Sequence, residues 1–114
     1  MRMPFLALGL VLAAAPAGAQ TIGSAEAKAH VGQTITVEAA VGDVHTGRSG
    51  ITFLDFGGRY PNNDFTAVIF AADAAKFSNV RALAGKTVAI SGPVQLYNGR
   101  AEIVLKSPDQ LTAK

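Results

Sequence analysis

The amino-acid sequence predicts a small, mostly β domain with one helix between its strands. Segments in which apolar and polar residues alternate recur along the chain, as they do in half-buried strands. Two of these segments flank Asn98-Gly99, and Asn-Gly is the strongest short-range hairpin signal. Between Ala72 and Leu83 the apolar spacing changes to three and four residues, which indicates an amphipathic helix. The predicted order is strand, strand, strand, helix, strand, strand, after a short leading helix.

Residues 1–19 have the pattern of a secretion signal. Arg2 precedes an apolar stretch from Phe5 to Ala15, and the small residues Ala17-Gly18-Ala19 follow. This order is typical of a cleavable signal peptide. The apolar stretch is shorter than the roughly 20 residues that span a bilayer. We therefore expect cleavage after Ala19, a periplasmic or secreted mature protein, and no membrane anchor after cleavage.

The composition limits both the domain count and the chemistry. Removing 19 of the 114 residues leaves 95, which suit one domain with one core. The precursor carries a net charge of +2, and the loss of Arg2 lowers it to +1. So small an excess gives no electrostatic argument for a nucleic-acid partner. Cysteine is absent, which excludes thiolate metal sites and thiol catalysis.

The predicted domain comprises residues 20–114. Its first half contains the leading helix and three strands. The segment from Ser24 to Gly32 has a helix-capping start and a glycine end. Alternation from Thr34 to His45 predicts the first strand, and Gly42 interrupts it, as glycine does at a bulge or sharp bend. Ile51 to Phe56 and Phe65 to Phe70 are the second and third predicted strands, separated by a segment rich in turn-forming residues.

The second half contains the helix and the closing hairpin. Asp73 lies in the first turn of the predicted helix and Gly85 follows its end. Lys86 to Ser91 forms the next predicted strand. A last strand, Arg100 to Lys106, follows the Asn98-Gly99 turn. No repeat or linker divides these elements, so a single domain suffices.

Segments near the end of the chain carry a family resemblance. Residues 85–92 follow the pattern G-K-x-V-x-I-x-G, and residues 97–111 follow Y-N-G-R-x-E-I-V-L-x-S-P-x-Q-L. Together with residues 31–37, they resemble strand patterns of nucleic-acid-binding OB domains. The resemblance implies a five-stranded Greek-key barrel. Most matched positions are turn glycines or core residues, so the resemblance implies a fold more specifically than a ligand.

The resemblance also implies where a ligand would bind. OB domains bind across their second and third strands and two flanking loops, and single-strand binders need aromatic faces and cations there. On this surface His45 comes from the first loop, and the second strand presents either Phe53 and Asp55 or Leu54 and Phe56. Most phenylalanines are expected in the core, whereas the loop residues Tyr60 and Tyr97 are better candidates for stacking. The predicted nucleic-acid-binding residues are Arg48, Phe53, Arg59, Tyr60, Phe65, Tyr97, Asn98 and Arg100.

Nothing in the sequence predicts catalysis, a cofactor or a metal ion. The serine-hydrolase, zinc-protease and phosphate-loop motifs are absent, as is the Asp-Gly-Asp-Thr type of strand found in thermonuclease, which shares the OB barrel. Asp43 and His45 share a strand face and could supply two metal ligands, but a stable metal site usually needs three or four. His30, at the end of the leading helix, is expected to interact with helix-end carbonyls.

Two functions therefore stay open. One is an exported, non-catalytic OB domain that binds single-stranded DNA or RNA, which the resemblance favours. The near-neutral charge opposes it, because phosphate neutralisation supplies most non-specific affinity. The other is a periplasmic OB module that binds a protein partner or an envelope saccharide, or acts in stress tolerance. Export favours this second function, since nucleic acid is scarce outside the cytoplasm.

Overall fold

The computed structural model describes residues 20–114, and the predicted signal peptide lies outside the described residues. The chain folds into a mostly β domain. Its eight strands are β1 (Thr21–Ile22), β2 (Thr34–Thr46), β3 (Thr52–Phe56), β4 (Phe65–Ile69), β5 (Thr87–Pro93), β6 (Gln95–Tyr97), β7 (Arg100–Val104) and β8 (Leu111–Ala113). Its four 3-10 helices are η1 (Ser24–His30), η2 (Ala71–Lys76), η3 (Val80–Leu83) and η4 (Pro108–Gln110).

The long strand β2 organises the sheet because it pairs with different strands along its length. Its first part, from Thr34 to Ala40, runs antiparallel to β5, and its second part runs antiparallel to β3. The register shifts between Val41 and Asp43, which confirms the bulge predicted at Gly42. A Cβ at Gly42 would lie 2.9 Å from the backbone oxygen of Gly58, so the close approach of that loop requires glycine.

The strands form one open mixed sheet in the order β6-β7-β4-β3-β2-β5-β8, and β1 pairs with β2. The β1–β2 and β4–β7 pairs are parallel. The five predicted strands are present, but the prediction of a closed five-stranded barrel is wrong. Three short strands extend the sheet, and no ladder among residues 20–114 joins β5 to β7.

The side chain of Gln110 bridges β5 and β7. Its Nε2 donates to the backbone oxygens of Ser91 on β5, at 3.0 Å, and Val104 on β7, at 3.1 Å. Its Oε1 accepts from the backbone N–H of Lys106 at 2.7 Å. Gly92 makes room for this contact, because a Cβ there would lie 3.0 Å from Gln110 Nε2. One side chain thus bonds to the backbone of both strands where no ladder joins them.

The predicted helix from Ala72 to Leu83 is instead two short 3-10 helices, η2 and η3. The chain between them includes Ser78 and Asn79, whose side chains compete with the backbone for hydrogen bonds and disfavour helix interiors. Phe77, at the break, is buried. The leading helix η1 is also 3-10, and His30 at its end pairs through Nδ1 with the Gln33 side chain at 2.9 Å.

The core lies against the inner face of the sheet. Leu54 and Phe56 of β3 are both buried there, and the Phe56 ring packs 5.4 Å from that of Phe65, measured between centroids. Since side chains alternate along a strand, Phe53 and Asp55 lie on the opposite, outer face. Within residues 20–114, no helix has the length and apolarity to cross a membrane.

Candidate ligand-binding cleft

A cleft of about 440 Å³ opens on the outer face of β3, β4 and β7. The loop after β3 and the β6–β7 hairpin contribute its sides. The residues that line it are His45, Phe53, Asp55, Tyr60, Thr66, Tyr97, Asn98, Arg100, Ala101 and Glu102. It therefore lies on the surface where the OB resemblance placed a ligand.

The floor of the cleft, formed by Asp55, Thr66 and Glu102, follows from strand register. Asp55 pairs with Thr66 across β3 and β4, and Thr66 pairs with Glu102 across β4 and β7. Equivalent positions on paired strands point to the same face. All three side chains are buried, so the floor is a polar row enclosed by its neighbours.

Hydrogen bonds hold the two floor carboxylates in place. Asp55 Oδ1 accepts long bonds, each 3.4 Å, from Asn63 Nδ2 and Thr66 Oγ1. Glu102 Oε2 accepts from Gln95 Nε2 at 2.6 Å. Among residues 20–114, no Lys or Arg forms an ion pair with either carboxylate. The floor is therefore an acceptor surface with no neutralising lysine or arginine.

The rim of the cleft, formed by Tyr60, Tyr97, Asn98 and Arg100, differs in chemistry and exposure. Tyr60 is 66% exposed and Tyr97 is 63% exposed. The Arg100 guanidinium carbon lies 5.2 Å from the centroid of the Tyr60 ring, and its Nη2 donates to the Pro61 backbone oxygen at 3.1 Å. Arg100 thereby ties the hairpin to the loop after β3 and lies over one face of the Tyr60 ring. The rim offers two exposed aromatic rings with one cation.

One wall of the cleft is a stacked pair of rings. His45 and Phe53 pair in register across β2 and β3, and their rings stack with centroids 5.0 Å apart and an interplanar angle of 21°. His45 Nε2 lies 3.1 Å from Asp55 Oδ2. The wall thus connects the aromatic surface with the acidic floor.

The structure brings together five of the eight predicted binding residues: Phe53, Tyr60, Tyr97, Asn98 and Arg100. Arg48 lies in the turn after β2, outside the cleft lining. Arg59 is also outside the lining, and its Nη2 lies 3.8 Å from Asp43 Oδ1. The stacking role predicted for Phe65 is wrong. Its ring is completely buried, because its position in the strand alternation puts it on the inner face.

Sequence reasoning missed the floor residues Thr66 and Glu102. Single-strand binding predicts aromatic and cationic side chains, whereas the floor is neutral and acidic. A signal was present, because Asp55, Thr66 and Glu102 are polar residues in otherwise apolar stretches of strand. Such residues mark the outer face of a half-buried strand, and the strand register then brings them together.

No protein-family model and no curated protein sequence matches the chain, but solved structures do. The aspartyl-tRNA synthetase of Entamoeba histolytica matches with a TM-score of 0.59 and 17% identity, over 94% of this chain and 24% of that chain. The chain assigned as aspartyl-tRNA synthetase in Leishmania major Friedlin gives 0.57 and 12%, over 94% and 23%. OBody AM1L10, bound to hen egg-white lysozyme, gives 0.62 and 16%, over 83% and 93%.

These similarities concern the fold. The chain spans about a quarter of the length of the two synthetase chains. At identities of 12–17%, the similarity shows that the fold is OB-like. This confirms the fold part of the family resemblance, and any ligand has to be argued from the cleft itself.

Proposed function

We propose that this protein is an exported, non-catalytic OB-like module that binds single-stranded nucleic acid in the cleft. The observation that carries the proposal is the rim, where Tyr60 and Tyr97 are exposed and Arg100 lies over one face of Tyr60. Aromatic platforms of this kind stack bases, and each stacked base contributes about 1–3 kcal/mol to binding. The signal-like sequence of residues 1–19 supports export.

The two parts of the cleft suit different parts of a nucleotide. Stacking on Tyr60 or Tyr97 leaves the phosphates outside, near the guanidinium of Arg100. The carboxylates of Asp55 and Glu102 accept hydrogen bonds and repel phosphates, so the base edges face the floor. Cytosine and adenine each offer an amino group to such acceptors. The floor can therefore distinguish one base from another, which stacking on the rim cannot do.

An envelope saccharide is a second candidate, and the floor favours it. Asp55 and Glu102 have no lysine or arginine partner among residues 20–114, which is unfavourable for a polyanion. A neutral sugar would stack on the aromatic rim and donate its hydroxyls to the carboxylates. Its binding would need no excess of positive charge on the protein, in keeping with the near-neutral composition.

A titration of the purified protein with a fluorescently labelled single-stranded oligonucleotide tests the first candidate. We expect saturable binding at low salt that weakens as salt rises. Tyr97→Ala should weaken it about 5- to 150-fold, which corresponds to the loss of one stacked base. Phe70→Ala is the matched control, because Phe70 is an exposed aromatic outside the cleft lining.

Two results would contradict nucleic-acid binding in the cleft. One is the absence of saturable binding at low salt. The other is an equal effect of Tyr97→Ala and Phe70→Ala, which would place any binding elsewhere. A parallel titration with soluble peptidoglycan fragments tests the saccharide. Binding of those fragments that depends on Tyr97, without binding of DNA, would favour the second candidate.

A further inference from the structure

We propose that Asp43, His45 and Asp55 bind a divalent transition-metal ion at the edge of the cleft. Each residue offers one ligand atom, and these three atoms lie within 4.8 Å of one another. Asp43 and His45 share one strand face in the sequence, and the fold adds Asp55 as a third ligand. The proposal does not depend on nucleic-acid binding.

Strand pairing brings the three side chains together. Asp43 and His45 are two residues apart on β2 and so share a face. Asp55 pairs in register with Asp43 across β2 and β3. The bulge at Gly42 immediately precedes Asp43 and sets the register of this pairing. All three ligands therefore lie on paired strands, which position side chains more rigidly than loops do.

The spacing of two of the ligands already suits a metal ion. His45 Nε2 and Asp55 Oδ2 are 3.1 Å apart. Two ligands that are each about 2.1 Å from a zinc ion, with about 90–109° between them, lie about 3.0–3.4 Å apart. An ion between these two atoms would take the place of their hydrogen bond.

Asp55 supplies an independent reason for a cation at this place. It is only 2% exposed, and its ion-pair partner is His45, which is positive only when protonated. The Asp43 carboxylate adds a second negative charge within 4.8 Å. Buried charges are paired or coordinate metals. Thr66 and Asn63 bond to Oδ1 and leave Oδ2 towards His45, which is how outer-shell groups orient a ligating carboxylate.

The surroundings favour zinc over calcium. An imidazole with two carboxylates suits zinc and other transition metals, whereas calcium takes six to eight oxygen ligands. Arg59 faces Asp43 at 3.8 Å, but its side chain is 78% exposed, so it is free to swing into solvent. Three protein ligands leave at least one coordination position for water or for a ligand oxygen in the cleft.

Isothermal titration of the metal-free protein, purified without a histidine tag and dialysed against EDTA, tests the site. We expect one Zn²⁺ per chain, weaker binding of Mn²⁺, and Ca²⁺ affinity at least about tenfold below that of Zn²⁺. His45→Gln and Asp43→Asn should each weaken Zn²⁺ binding by at least about tenfold, since each removes a ligand. His30→Gln, which changes the other histidine of the chain, is the control and should bind as the parent protein does.

A spectroscopic measurement locates the ion independently of affinity. Mn²⁺ should broaden the imidazole resonances of His45 and leave those of His30 sharp. His45→Gln is a better test of the site than a substitution of the buried Asp55, because the His45 side chain is 43% exposed and its loss should not unfold the protein. Circular dichroism checks the fold of the variant. Absence of one-to-one Zn²⁺ binding, or unchanged binding in His45→Gln, would overturn the proposal. DNA binding is measured in EDTA, where no metal is bound. Failure of the metal site therefore leaves the test of nucleic-acid binding unchanged.

Discussion

The rim and the floor of the cleft are built differently, and this determines what each contributes. The rim comes from loops and the β6–β7 hairpin, and its tyrosines are about two-thirds exposed. The floor comes from three paired strands, and its side chains are buried; Thr66 bonds to Asp55, and Glu102 accepts a bond from Gln95. Substitution of Tyr97 on the rim should therefore affect binding alone, whereas substitutions on the floor should affect stability as well.

The largest effect is expected directly beneath the floor. Phe65 precedes Thr66 on β4 and packs against Phe56 on the inner face. Phe65→Ala should lower the free energy of unfolding by about 3–5 kcal/mol, because it leaves a cavity in the core. Urea unfolding measures this change.

Tyr97→Ala provides the matched aromatic deletion on the rim. Its effect on the free energy of unfolding should stay within about 0.5 kcal/mol, as is usual for an exposed position. Similar losses in the two variants would contradict the distinction, since they would show that the rim is as strongly coupled to the core as β4 is.

Removing a floor carboxylate should have an intermediate effect. Asp55→Ala deprives Asn63 and Thr66 of a buried acceptor, so the free energy of unfolding should fall by about 1–3 kcal/mol. Asp109→Ala, at an exposed carboxylate on η4, is the control and should change it much less. Stabilisation by Asp55→Ala would show instead that the carboxylate is kept at a cost in stability, as binding groups often are.

Local signals account for the parts of the fold that were predicted from the sequence. Alternation fixed the inward face of Ile35 and Val37, both buried, and the Asn98-Gly99 turn fixed the β6–β7 hairpin. The α-helix expected from Ala72 to Leu83 failed because apolar residues at three-residue spacing suit successive 3-10 turns as well. The open sheet was not predicted because pairing between distant strands leaves no pattern within a single segment.

The contrast between local signals and pairing of distant strands also explains which residues of the cleft were predicted. Tyr60 and Tyr97 were identified because aromatic residues in loops have no packing role to explain them. Thr66 and Glu102 are far apart in sequence and meet only through the parallel β4–β7 register. Asp55 joins Asp43 and His45 through the β2–β3 register, so the third metal ligand likewise lay beyond sequence reasoning.

The smallest effect expected on binding is a preference between bases, and it distinguishes the rim from the floor. If bases stack on the rim and face the floor, cytosine donates its amino group to a floor carboxylate, whereas thymine offers an acceptor there. An oligo(dC) strand should then bind roughly fivefold more tightly than oligo(dT), about 1 kcal/mol for one such bond. Glu102→Gln should reduce this ratio, because an amide can turn its NH₂ group towards thymine.

Competition titrations with both oligonucleotides measure the ratio in each variant. Glu38→Gln is the control, since Glu38 is an exposed residue of β2 outside the cleft lining, and it should keep the preference for oligo(dC). Tyr97→Ala should weaken both oligonucleotides to the same extent, because stacking tolerates any base. A preference for oligo(dC) that survives Glu102→Gln but disappears in Tyr97→Ala would assign base selection to the rim, and the division between stacking rim and selective floor would be wrong.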